Sequence, residues 1–129
     1  MIYEQQAHGA LEEVVERLTS AAAEHKFGII SQLDLRGKMH EKGIEFGHTC
    51  WILEVCNPMQ AKQVLETDIR LANLLPCRIA IYEKDGQLMV GTIRPSWMIR
   101  MLGTEALAPV ANEVEDALIS IIDSACTGA

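Results

Sequence analysis

Apolar residues recur along this chain at two spacings. In Ala10–Glu24, Leu11, Val14, Val15, Leu18 and Ala22 fall at helical intervals, with Glu12, Glu13, Glu16 and Arg17 opposite them. That spacing predicts an amphipathic helix with one apolar stripe. Pro109–Ala125 repeats it over a longer run through Val110, Val114, Ala117, Leu118, Ile121, Ile122 and Ala125. Elsewhere the period shortens to two, the mark of a half-buried strand. Ile29–Arg36 places Ile29, Ser31, Leu33 and Leu35 on one face and Ile30, Gln32, Asp34 and Arg36 on the other. Cys50–Cys56 alternates too. Trp51, Leu53 and Val55 make a core face, and Cys50, Ile52, Glu54 and Cys56 a half-covered one. Arg78–Glu83 and Gln87–Ile93 read as a hairpin, because Asp85-Gly86 supplies the turn residues a tight hairpin needs. Met1–Gln6 reads as a short first strand.

Breakers set the limits of these elements. Gly28 marks the exit from the first helix, and Gly37–Gly47 is polar and broken by glycines, with a helical turn expected at Lys38–Lys42. Asn57-Pro58 opens a helix over Pro58–Glu66: asparagine is a favoured cap, and proline suits the first helical position. Thr67-Asp68 caps a second short helix that ends before Pro76. Pro95-Ser96 starts another, with Ser96 read as its cap and Gly103 as its end. The order is β-α-β-β-α-β-β-α, with short helical pieces in the joints. Two long helices, each with a single apolar stripe, can share one sheet face. The expected fold class is α+β: a two-layer sandwich with a mostly antiparallel sheet of about five strands and helices on one face. Residues 1–129 are expected to form a single domain. The other face is expected to carry Gln32, Asp34, Arg36, Cys50, Ile52, Glu54 and Cys56, with Arg78, Ala80 and Tyr82 from the hairpin. Such a mixed face needs solvent, a ligand or a second subunit, so a homodimer is expected.

Composition acts mainly by exclusion. A hydrophobic content of 49% is enough for a core, and the net charge of −7 argues against nucleic acid and acidic membranes as partners. Aromatics are 5% of the chain and form no base-stacking motif. No apolar run reaches the length of a membrane span. The opening MIYEQQAHG lacks the basic and apolar regions of a secretory leader, so a cytoplasmic location is expected. The four cysteines are then expected to be thiols. The chain contains no CxxC, phosphate-binding loop, dinucleotide fingerprint or nucleophile elbow, and no catalytic residue is assigned.

The candidate chemistry lies between Cys50 and Cys77. Cys56 directly precedes the Asn57-Pro58 helix start, where free backbone N–H groups favour a thiolate. The alternative is a buried thiol acting as a small hydrophobe. Glu54 on the same strand face opposes ionisation, and Arg78 from a neighbouring strand would favour it. Cys50 is about 20 Å from Cys56 along an extended strand, beyond the reach of a disulfide. Cys77 opens the next strand and is the one cysteine expected beside Cys56, while Cys126 reads as incidental. His48 and Cys50 point the same way and supply two ligands suited to a soft metal ion or haem iron. Two are too few for a closed structural site, and an exposed loop histidine is the plainer reading. The sequence requires no cofactor.

The run VCNP…LLPC followed by RIAIYEKDG resembles the domain of unknown function 302 family. The likeness extends to LEEVVERLTSAAAEHKFGIISQLDL, KMHEKGIEF and the long final helix, and so covers nearly the whole chain. It implies a compact α+β fold that commonly pairs into homodimers, and no settled activity. Gly47-His48-Thr49-Cys50 departs from the aromatic or proline-containing segment usual in the family. Two functional readings follow. One is a cytoplasmic homodimeric module that binds a small ligand or a partner protein. The other is a thiol-based redox, sulfur-carrying or metal- or haem-binding protein using Cys56, Cys77, His48 or Cys50.

Overall fold

In the computed structural model, which describes residues 1–127, the alternating segments are strands and the stripes are helices. The strands are β1 (Ile2–Gln6), β2 (Gly28–Asp34), β3 (Cys50–Cys56), β4 (Cys77–Lys84) and β5 (Gln87–Ile93). The helices are α1 (Leu11–Glu24), α2 (Leu35–Glu41), α3 (Pro58–Thr67), α4 (Pro95–Leu102) and α5 (Ala108–Thr127). One sheet has the order β1-β5-β4-β3-β2, and every neighbouring pair is antiparallel. Asp85 and Gly86 both take positive φ in the β4–β5 turn, as a tight hairpin requires.

The stripes of α1 and α5 cover one sheet face. Leu18, Leu118, Ile121 and Ile122 pack with Leu53, Val55, Ile79, Ile81 and Val90, all buried. Each such side chain contributes about 1.5–3 kcal/mol by leaving water. The expected α+β two-layer sandwich is therefore present. A smaller cluster of Leu71, Ile99, Leu107 and Ala111 joins α4 and α5 to the 3-10 turn Ile69–Leu74.

Three local expectations are corrected. A bulge in β2 between Ile29 and Ser31 reverses the alternation beyond it. Ser31 and Leu33 lie opposite Glu54 and Ile52 and share the open face, whereas Gln32 and Asp34 lie opposite Leu53 and Trp51 on the helix side. Second, Leu35 and Arg36 are helical, not extended. The Asp34 side chain accepts a 2.9 Å hydrogen bond from the Gly37 N–H and starts α2 early. Gly37 permits this fold-back, since a Cβ there would meet Asp34 Oδ2 at 2.5 Å. Third, Ser96 is not the cap of α4; Arg94 holds that position and Pro95 follows it. Glu115 of α5 instead accepts from the Ser96 N–H at 3.1 Å and from its hydroxyl at 2.6 Å, placing a carboxylate at the start of α4.

Tyr82 lies across the open face. Its hydroxyl donates to Glu4 of β1, which also takes Lys84 Nζ at 3.2 Å. The ring passes over Gly91 of the intervening strand, where a Cβ would meet the Tyr82 hydroxyl at 2.9 Å and the Tyr3 carbonyl at 3.2 Å. The Tyr82 hydrogen bond, followed by Lys84, holds Glu4 below the usual carboxylate range. Tyr82→Phe is expected to cost about 1 kcal/mol, the worth of a hydrogen bond to a charged acceptor at a part-buried site. Gly91→Ala is expected to cost about 1–2 kcal/mol, much of it by displacing the same hydroxyl. In urea melts the double variant should then be less destabilised than the sum of the singles. Strict additivity would show that Gly91 does not serve Tyr82.

Candidate functional site

The helix start predicted after Cys56 forms as written. Asn57 Oδ1 accepts from the N–H groups of Met59 at 3.1 Å and Gln60 at 3.3 Å, with Pro58 at the first helical position. Cys77 lies directly opposite Val55, so Cys56 is one residue out of register with it on the next strand. The two thiols line one cavity of about 30 Å³, together with Gln60, Val64 and Val114. A second cavity of about 60 Å³ runs between Val64, Leu74, Cys77, Ile99 and Val110. A third of about 90 Å³ lies between Leu74, Cys77, Arg78, Met98 and Leu118. Cys77 is a wall of all three, and the cavities share further lining residues, so they adjoin one another and outline a cleft where β4 begins, beside α3, the Ile69–Leu74 turn and α4.

The chemistry of the cleft is apolar. Burial first, then the neighbouring Cys56, pushes the Cys77 thiol up to about 11. It is neutral at physiological pH and presents a weak S–H donor, not a nucleophile. One polar atom stands out: the Gln60 side-chain oxygen is buried and, among the described residues, has no hydrogen-bond partner.

The raised Cys77 value is also a stability statement. A thiol held neutral in the folded state contributes fully below its unfolded value of 9.0 and is lost as pH rises through about 11. Stability under reductant should therefore fall by on the order of 2 kcal/mol between neutral pH and pH ~11 through this group. Burial, followed by the Glu4 hydrogen bond, also raises Tyr82, so both groups act in the same direction. Cys77→Val, which fills similar space without ionising, should flatten the alkaline limb in urea melts taken across that range. An unchanged limb would mean that Cys77 ionises as freely folded as unfolded.

The other candidates are placed apart from the cleft. Glu54 accepts from Ser31 Oγ at 2.6 Å and pairs with Arg78 at 3.7 Å. Arg78 thus offsets a carboxylate and is not committed to Cys56. Cys50 is half-buried opposite Tyr82, toward the far end of the open face. His48 is exposed, with its ring edge-on to Phe46 at 5.4 Å. Among the described residues no three His, Cys, Asp or Glu side chains are grouped to hold a metal ion. Cys126, read as incidental, is buried in the core, and burial followed by Asp123 raises its thiol. Gln60, Val64, Leu74 and Met98 were not singled out as site residues. Gln60, Val64 and Leu74 carry one sequence signal, their position inside the CNP…LLPC segment that the two thiols bound, and Met98 carries none.

Fold and site together define an α+β sandwich with a small apolar, thiol-walled cleft at one end of its sheet. Among the described residues no helix is long and apolar enough to cross a membrane. The sequence profile of the domain of unknown function DUF302 matches residues 3–125. The crystal structure of an uncharacterized conserved DUF302 protein from Bacillus stearothermophilus is similar, with a TM-score of 0.91, 30% identity and 97% of each chain covered. The chain belongs to the DUF302 family. No curated protein matches it.

Proposed function

We propose that this protein is a homodimeric binding module whose cleft around Cys77 takes a small apolar ligand. The observation that carries this reading is the single side chain shared by three adjoining cavities, roofed by a cluster separate from the main core. Small-molecule sites are commonly apolar concavities with few polar groups. Two-dimensional NMR of methyl-labelled protein titrated with indole tests it. Shifts should concentrate at Val64, Ile99, Val110 and Val114, and spare Ile52 and Ile2 on the open sheet face. Shifts confined to the open face, or none at millimolar indole, would remove this reading.

The dimer half of the proposal rests on the open face. Ile52 and Ala80 lie opposite one another at its middle, beside the Glu54–Arg78 pair. Ile2 and Ile93 are paired at its edge and are 57% and 45% exposed. A two-fold axis running along the strands between β3 and β4 would set Arg78 of one copy against Glu54 of the other. Apolar groups would fill the centre. This is the self-complementarity an isologous interface requires.

A second reading, thiol chemistry, is favoured by Cys56 alone, which is half-buried at a capped helix start. It predicts that a small thiol reagent at neutral pH modifies Cys56 well before Cys77 or Cys126, and that Cys56→Ser removes most of the fast fraction. Labelling of Cys56 only in denaturant would make it a core thiol and remove that reading.

A further inference from the structure

Gln60 occupies the third position of α3, where glutamine ordinarily turns back to bond the N–H of the cap residue. Here Asn57 serves the start of α3, and among the described residues the Gln60 side-chain oxygen has no donor and lies buried in the wall of the thiol-lined cavity. A buried acceptor without a partner costs about 1–3 kcal/mol, which a bound donor would recover. The rest of the lining sets the remainder of the ligand. Among the described residues the first two cavities carry no charged side chain, and Arg78, which pairs with Glu54, borders the third. A charged ligand would lose its hydration there with no counter-ion in return. The cavity beside Gln60 holds only about 30 Å³, room for a small polar end, while the space past Cys77 suits a flat or branched apolar body.

Building on the cleft assigned above, we propose that Gln60 reads the ligand. The ligand is an uncharged, mostly apolar small molecule, of pyrrole to indole size, with one N–H or O–H donor that bonds the Gln60 oxygen. Cys77 is the surface against which the apolar body packs.

Isosteric probe pairs separate this claim from the cleft itself. Indole and benzofuran differ in one ring atom, a donor N–H against an acceptor oxygen, and pyrrole and furan repeat the contrast at smaller size. Calorimetric titration of the full chain should give about five- to tenfold tighter binding of the donor member, the worth of one net hydrogen bond. In Gln60→Met the two members should bind within about twofold of each other. The N–H proton of the bound donor, read on the unaltered protein, should move downfield, so the claim does not depend on the variant folding. Equal binding of both members, or a preference that survives in Gln60→Met, would overturn the role of Gln60 and leave the cleft standing. Tighter binding of benzofuran and furan would show the amide N–H₂ facing inward and overturn the donor assignment. Failure of both pairs to bind would overturn this inference and the cleft reading together.

Discussion

Leu118→Ala is expected to destabilise the protein by about 3–5 kcal/mol, and an apolar ligand is expected to restore part of that loss. Leu118 is 1% exposed, packs in the main core from α5 and also walls the third branch of the cleft. Removing it forfeits the transfer of its methyl and methylene groups and leaves a cavity that the sheet on one side and α5 on the other cannot close. In most cores that space is sealed. Here it would open into the cleft and enlarge it. A ligand that binds only the folded state stabilises by RT ln(1 + [L]/Kd), about 2.7 kcal/mol at a hundredfold excess over Kd. Melts of Leu118→Ala with and without benzene should therefore differ by more than those of the unaltered protein. Ile121→Ala, equally buried but away from the cleft lining, should show a comparable loss without that recovery. Equal behaviour of the two variants would mean that the cleft does not communicate with the core.

The second large effect concerns assembly. Light scattering at micromolar concentration should give twice the chain mass for the unaltered protein and the single mass for Ile52→Lys. Ile52 lies opposite Ala80 on one side and Leu33 on the other, near the middle of the open face. A lysine there would bring two like charges together across the proposed axis and bury them without partners, at a cost of several kcal/mol. Ile52→Val keeps the surface apolar and should remain dimeric. The variant monomer should retain its far-ultraviolet spectrum, because the side chain is on the face away from the core. A monomer mass for the unaltered chain would refute the dimer while leaving the cleft untouched.

Much of the fold was legible because local preference and burial agree. Asn57-Pro58 and Asp85-Gly86 each form the start or turn they encode, and the α1 and α5 stripes cover the face that carries Leu53 and Val55. The bulge at Ile29/Ser31 was not legible, because alternation read in steps of two cannot register one extra residue. Its effect was large: Gln32 and Asp34 changed faces with Ser31 and Leu33. The early start of α2 depends on a side chain folding back over a glycine, a contact visible only in three dimensions. The Glu115 carboxylate at the start of α4 comes from another helix, beyond the reach of any local cap rule.

The candidate site divides the same way. Cys56, Asn57 and Cys77 could be picked out because they punctuate the chain, and pairing of β3 with β4 brings Cys77 within one residue of the Cys56 register, where both line one cavity. The cleft itself could not. Its walls come from α3, α4, α5 and the Ile69–Leu74 turn, and in sequence Val64, Met98 and Val110 look like ordinary core residues. The role proposed for Gln60 rests on a buried oxygen without a partner among the described residues, which no pattern of residue types records.

The central claim, that the cleft around Cys77 takes a small apolar ligand, is tested most directly by crystals of the protein soaked in 4-bromophenol. Bromine scatters anomalously and marks its own position. An anomalous peak is expected within van der Waals distance of Cys77, between Val64, Val110 and Met98, with the phenol oxygen directed at Gln60. A peak on the open sheet face alone, or none in the cleft at saturating ligand, would contradict it.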